Sequence, residues 1–216
     1  MDAVLLFSGQ GAQKVGMGKD LYDQYPVAKA LIEQADKALG ESLSAVMFEG
    51  PGEELTRTCN CQPALYVHGL ACLAVLKELV PSLNPVAAAG LSLGEFTAHA
   101  AAGTYSFEEG LRLVQKRGAF MEEACNATKG TMAAMIGGTD ENVIKLAQEC
   151  DVDVANFNCP GQTVVSGTEE GVAKAVAGAK AAGCKIAKKL NVAGAYHSRL
   201  MHSAMVKLAE ELKNIS

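Results

Sequence analysis

The 216-residue sequence contains no Trp, and only 5% of its residues are aromatic. An interior of packed aromatic rings is excluded, and the core must be built mainly from Ala, Leu and Val. Charge of one sign is also missing: 19 Lys and Arg against 24 Asp and Glu leave a net charge of −5, with no local basic cluster. A polyanion finds no electrostatic footprint here, so nucleic acid is not an expected partner. No uninterrupted apolar run reaches the roughly 18 residues of a membrane span, and Met1-Asp2 leads straight into an apolar strand with neither a basic nor an amphipathic leader. No membrane association is expected. The seven cysteines (Cys59, Cys61, Cys72, Cys125, Cys150, Cys159 and Cys184) are odd in number and fit neither a paired CxxC metal site nor a disulfide framework. They read as reduced thiols of a cytoplasmic protein that holds no metal and no other cofactor. Cys59-Asn60-Cys61 has no further Cys or His beside it to complete a metal or redox site.

What is plentiful is Gly, with 22 residues, in a chain that is 49% hydrophobic and 20% charged. That balance describes one ordinary domain, or two small ones sharing a core, and suits an α/β chain with many tight strand-to-helix turns. The apolar stretch 3–7 reads as a strand covered on both faces by helices. Helices are predicted over 19–39, interrupted at Pro26, and over 64–80, the second apolar almost all round and so deeply packed. A short strand at 86–89, the turn Gly90-Leu91-Ser92-Leu93-Gly94 and a helix over 94–102 follow. From 132 the units shorten: strand 132–136, a helix capped by Thr139 and running to 150, strand 152–156, and the turn Cys159-Pro160-Gly161. Strand 162–166, a helix over 169–182 capped by Thr168 and closed by Gly183, and strand 185–190 complete the order βαββαβ. This is the ferredoxin-like order. The fold class is thus α/β, with a large subdomain over 1–127 and 195–216 and an inserted small subdomain over 128–194. The last helix, 199–212, returns to the large subdomain.

Gly90-Leu91-Ser92-Leu93-Gly94 matches the G-x-S-x-G nucleophile elbow, in the strand–turn–helix context that gives the pattern its meaning. Glycines allow the sharp turn that lifts the Ser92 hydroxyl clear of the sheet, and the Leu93 amide at the helix N-terminus can face a developing oxyanion. A serine needs a base to take its proton. Of the four histidines, His68 lies inside the packed helix and reads as a core residue; His99 sits two turns beyond Ser92, and His202 lies in the terminal helix. His197 falls on the loop returning from the small module, where cleft residues collect, and is the candidate base. With 107–125 wound as a helix at about 100° per residue, Leu111, Leu113, Val114, Phe120 and Met121 share one side, and Arg117 lands among them. A guanidinium there needs an anionic partner, either an internal acid such as Glu95 or a substrate carboxylate. Gly9-Gln10-Gly11 fails as a dinucleotide loop because Lys14 stands where the third Gly belongs, yet that βα loop is well placed to give a second oxyanion donor.

The segments Phe7-Ser8-Gly9-Gln10-Gly11-Ala12-Gln13, Cys61-Gln62-Pro63-Ala64-Leu65, Gly90-Leu91-Ser92-Leu93-Gly94-Glu95-Phe96, Arg117-Gly118, Asn156-Phe157-Asn158-Cys159-Pro160-Gly161-Gln162 and Ala195-Tyr196-His197-Ser198 together resemble the malonyl-CoA:acyl-carrier-protein transacylases. They are similar as well to the acyltransferase domains of fatty-acid and polyketide synthases. The resemblance implies an α/β-hydrolase-like large subdomain carrying a ferredoxin-like insert. It also implies that Ser92 is the acylated nucleophile and His197 its base. The amides of Gln10 and Leu93 would form the oxyanion hole, Arg117 would bind the malonyl carboxylate, and Gln62 would line the site. The implied reaction is ping-pong transfer of malonyl from coenzyme A to Ser92, then to the phosphopantetheine thiol of acyl carrier protein in fatty-acid biosynthesis. Tyr196 before His197 resembles the malonyl-selecting members. Leu91 departs from the family, which usually has His there, in contact with substrate. Family members continue well past the His197 region, so the sequence reads as C-terminally truncated, and little or no transfer activity of the 216-residue chain alone is expected. A monomer is expected. The competing readings are a serine hydrolase or thioesterase, with Asp140, Asp151 or Asp153 as the third member of a triad, and a non-catalytic carrier-protein-binding fragment.

Overall fold

Strands β1 (Asp2–Phe7) and β2 (Asn84–Gly90) pair in parallel with Phe7 opposite Gly90, so both end at one edge. They belong to the first of two compact units in a computed structural model that describes residues 1–215. The first unit is Met1–Ala119 with the segment from Glu210, and the second is Phe120–Ala209.

In the first unit β1 leads to α1 (Lys19–Gln24) and α2 (Pro26–Leu39), divided at Pro26, which takes the first helical position where its missing N–H costs nothing. Then come α3 (Leu43–Glu49), α4 (Gly52–Thr56), α5 (Thr58–Leu79), β2 and α6 (Leu93–Ala101). Helix α5 starts well before the predicted 64 and carries Pro63 inside it. Its first turn is already closed by Cys61 N–H donating to the Arg57 carbonyl at 2.8 Å. Pro63 removes one such bond from a stretch, Cys61 to Val67, that is buried throughout, so packing outweighs the loss. With 22 residues and a mean hydropathy of 1.3, α5 is long and apolar enough to cross a membrane, but 56% of that window is buried within the protein, as in a core helix.

The expectation that β1 is covered on both faces is corrected. Ala3, Leu5 and Phe7 are partly buried, whereas Val4 is 58% and Leu6 77% exposed. Helix α6 packs on β1 and β2 from one side, and alternate residues of a strand point to opposite sides.

Helix α7 (Phe107–Ala127) begins in the first unit with a reciprocal cap: Ser106 N–H donates to Glu109 Oε2 at 2.9 Å, and Glu109 N–H to Ser106 Oγ at 3.2 Å. Gly110 and Gly118 bring α7 against α5. A Cβ on Gly118 would stand 2.6 Å from the Thr58 carbonyl oxygen, and one on Gly110 would overlap the Tyr66 hydroxyl.

The second unit carries β3 (Gly130–Ile136), α8 (Asp140–Glu149), β4 (Asp153–Cys159), β5 (Gln162–Thr168), α9 (Glu169–Gly178) and β6 (Ile186–Lys189). The four strands form one antiparallel sheet in the order β4-β5-β3-β6. Thr139 and Thr168 cap α8 and α9 by accepting from Asn142 N–H at 3.3 Å and Gly171 N–H at 3.0 Å. Helix α9 ends at Gly178 rather than at 182; the chain then turns, and Cys184 N–H donates back to Ala179 O at 2.9 Å. One face of the sheet packs Ala133, Met135 and Val165 against Val143, Leu146 and Val172 of the two helices. The other packs Met132 and Val164 against Met121, Ala124, Tyr196, Met201 and Ala204. That second layer is why the compact unit takes in the end of α7 and most of α10 (His202–Leu212), whereas element order set the subdomain borders at 127/128 and 194/195.

Candidate active site

Ser92 sits at the C-terminal edge of the parallel strands, between Gly90 at the end of β2 and Leu93 at the start of α6. Its backbone lies at φ 52°, ψ −99°, a left-handed conformation that a residue with a Cβ adopts only where its surroundings enforce it. Those surroundings are backbone. Leu91 N–H donates to Phe7 O at 3.1 Å, Gly94 N–H to Leu91 O at 2.9 Å and Glu95 N–H to Ser92 O at 3.2 Å. A Cβ on Gly90 would overlap the backbone of Gly94, and one on Gly94 would overlap the Phe7 carbonyl. A Cβ on Gly9 would overlap the Leu91 carbonyl, so the loop holding Gln10 lies against the elbow. Leu93 is the first residue of α6, and its N–H has no acceptor inside the helix.

Arg117, nearly three turns into α7 and next to the close approach at Gly118, is 8% exposed. Its Nη2 donates to Ser92 Oγ at 3.0 Å and its Nη1 to Gln62 Oε1 at 2.7 Å. Gln62, on α5, is 1% exposed. The guanidinium also lies over the Phe96 ring, 5.1 Å from its centre. Among the described residues no carboxylate forms an ion pair with Arg117, although the charge of Glu95 reaches it. Burial pulls the guanidinium down to about 10, and Glu95 opposes that shift; at neutral pH it stays charged. Of the two partners left open for Arg117, the internal acid is thus not the one in contact. The guanidinium is thus nearly dry and held by a serine, an amide oxygen and a ring.

The structure therefore brings Ser92, Arg117 and Gln62 into direct contact, with Leu93 adjoining and the Gln10 loop alongside. His197 belongs to the second unit, where it is exposed at φ 56°. The segment after it is pinned: Ser198 Oγ donates to Ala195 O at 2.7 Å, and Arg199 N–H to Asp153 Oδ2 at 2.8 Å. Tyr196 is buried at 6% in the same layer as Cys125. His99 pairs with Thr104 Oγ1 at 3.2 Å, and His202 opens α10. His68 is half-buried, with Cys72 Sγ 3.8 Å from its ring nitrogens. The three carboxylates of the triad alternative are engaged elsewhere. Asp140 accepts from Thr163 at 2.6 Å, and Asp151 and Asp153 pair with Arg199 at 2.7 and 3.1 Å.

Two contributors stand in the quoted segments but were assigned no role from the sequence. Phe96 stands one turn after Ser92, a spacing that places it on the same side of α6, and Gly118 directly follows the arginine it positions.

A family model described as an acyl transferase domain matches residues 4–216. The chain is 47% identical over 212 residues to the malonyl CoA-acyl carrier protein transacylase of Bacillus subtilis (strain 168), covering 96% of this chain and 66% of that protein. Among solved structures, the malonyl CoA-acyl carrier protein transacylase of Coxiella burnetii superposes with a TM-score of 0.94 at 37% identity, over 99% of this chain and 68% of that one. A malonyl transacylase in complex with its type II polyketide acyl carrier protein gives 0.93 at 37% identity, over 99% of this chain and 70% of that one. The elbow, the buried arginine and these similarities agree: the chain belongs to the acyl transferase domain family.

Proposed function

We propose that this chain carries the nucleophile and the carboxylate site of an enzyme that transfers malonyl from coenzyme A to the phosphopantetheine thiol of an acyl carrier protein, through an ester on Ser92, in fatty-acid biosynthesis. The observation that carries the proposal is the Arg117 guanidinium, 8% exposed, held by uncharged partners and 3.0 Å from Ser92 Oγ. A hydrolase of neutral esters has no use for such a charge, whereas a malonyl group brings the missing carboxylate to within one acyl length of the nucleophile. The names of the related transacylases point the same way.

In this reading His197 takes the Ser92 proton as Oγ attacks the thioester carbonyl. The amides of Gln10 and Leu93 bind the oxyanion, and coenzyme A leaves as the thiol after receiving that proton. The carrier-protein thiol then repeats the steps in reverse on the Ser92 ester. Gln62 fixes the guanidinium that receives the substrate carboxylate. The large subdomain is α/β-hydrolase-like over 1–127 and 195–216, and the insert over 128–194 is ferredoxin-like, a reading supported by the strand order β4-β5-β3-β6. In this reading the protein works in the cytoplasm, which seven cysteines in no disulfide support.

Intact-mass measurement after incubation with malonyl-CoA tests the proposal. A gain of one malonyl group on the wild type, absent from Ser92→Ala, is the expected result. Release of free malonate with no acyl-protein and no need for an acceptor thiol would favour hydrolysis instead.

A further inference from the structure

The bond between Arg117 Nη2 and Ser92 Oγ, at 3.0 Å, joins the cation to the atom that must attack. A serine hydroxyl has one proton and two lone pairs, and attack on a carbonyl carbon requires a lone pair aimed at that carbon. A lone pair that accepts from a full cation is drawn away from attack, and such charge-assisted bonds are about twice as strong as neutral ones. Among the described residues no carboxylate pairs with the guanidinium; Gln62 Oε1 at 2.7 Å and the Phe96 ring at 5.1 Å hold its other side without neutralising it.

We propose that Arg117 is a latch on Ser92: the guanidinium occupies the nucleophile until the carboxylate of the acyl donor takes its place as acceptor. The inference rests on the reading of Arg117 as the carboxylate site and adds a second layer of selection to it. A carboxylate oxygen replaces Ser92 Oγ on the Nη2 hydrogen, while Gln62 keeps Nη1 where it was, so the head group shifts without leaving the site. Oγ keeps its own proton until the base removes it. An acyl donor without a carboxylate lacks the ion pair and also meets a serine that is still held.

The test uses the full chain and a neutral alkyl fluorophosphonate, which needs no carboxylate site. Ser92 Oγ bonds to phosphorus, fluoride leaves, and the hydroxyl proton passes to the base; the rate is followed by intact mass, with Ser92→Ala as the blank. Arg117→Met is expected to label about tenfold faster than wild type. Because this variant removes a buried group and its folding is not assured, a second arm uses the wild type with formate against chloride at equal ionic strength. Formate should speed labelling of the wild type several-fold and leave Arg117→Met unchanged. Labelling that is equal or slower in the variant, or unchanged or slowed by formate in the wild type, overturns the latch. Malonyl-CoA acylation is scored separately. A wild type that accepts malonyl while the phosphonate rates ignore Arg117 retains the transferase reading and loses the latch. One that refuses malonyl while the variant labels faster loses the reading and keeps the latch.

Discussion

Gln62→Glu exchanges an amide nitrogen for oxygen on a side chain that is 1% exposed and already accepts from Arg117 Nη1 at 2.7 Å. Shape is preserved and charge is not. A carboxylate there puts opposite charge centres about 4 Å apart, an attraction of about 4 kcal/mol at an effective dielectric of 20. Burying that carboxylate costs several kcal/mol, so the net change in folding stability should be small. The effect on the substrate is different, because an incoming malonyl carboxylate now meets a neutral pair where it would have met a cation. Loss of about 3 to 4 kcal/mol corresponds to a fall of roughly a hundredfold to a thousandfold in kcat/KM for Ser92 acylation by malonyl-CoA. Acetyl-CoA, which brings no carboxylate, should change by less than about threefold or improve. Stopped-flow or quenched mass measurement with the two donors reads the ratio, and urea denaturation checks the fold. Equal losses with both donors would mean that Gln62 props the packing of α5 and has no hold on the charge; full malonyl activity would mean that Arg117 is not the carboxylate site.

Two further outcomes follow from the backbone and from burial. Gly94→Ala should cost about 3 kcal/mol in urea denaturation, because its Cβ would stand on the Phe7 and Ser8 carbonyls, which cannot rotate away, while Gly52→Ala, with Val15 Cγ2 at 3.8 Å and an ordinary backbone, stays within about 0.5 kcal/mol; equal effects would refute the close approach at the elbow. Burial holds the His68 imidazole below its usual value, with Lys14 adding to that effect and Asp20 opposing it, so on acidification the unfolded chain takes its proton first. Stability should therefore fall as pH drops below about 6.5, by at most about 1.4 kcal/mol per pH unit and only until the folded imidazole protonates; His68→Gln should flatten that limb of the urea-midpoint profile, and an identical limb would refute the assignment.

Much of this site could be read from single residues. Ser92 was legible because the elbow pattern carries its own steric logic, and the glycines at 90 and 94 meet backbone as that logic requires. Arg117 was legible because a charge on an apolar helix face has few destinations, and it lies at 8% exposure as the helical winding implied. Which partner it took was not legible, since Gln62 is fifty-five residues away and on another helix. The start of α5 was misread because Pro63 usually marks a boundary, and only burial from Cys61 to Val67 explains why the helix runs through it. The apolar run in β1 suggested two covered faces; apolarity alone does not say how many helices reach the strand, and Val4 and Leu6 are exposed. The ferredoxin-like order was read from short periodic segments, while the layer of Met121, Tyr196 and Met201 behind the sheet depends on residues distant in sequence.

The strand order of the second unit has a consequence for how the protein behaves at high concentration. β6 ends the sheet on one side, and only four residues, Ile186–Lys189, extend it. A sheet end offers backbone donors and acceptors to any extended chain that drifts past, which is how soluble proteins begin to stack. Here Lys188 and Lys189 stand exposed on that strand and Lys185 just before it, so two copies approaching end to end would have to bring lysines together. The cluster guards a vulnerable edge: replacing those lysines with Thr or Val would leave the fold intact and turn a repelling border into an adhesive one.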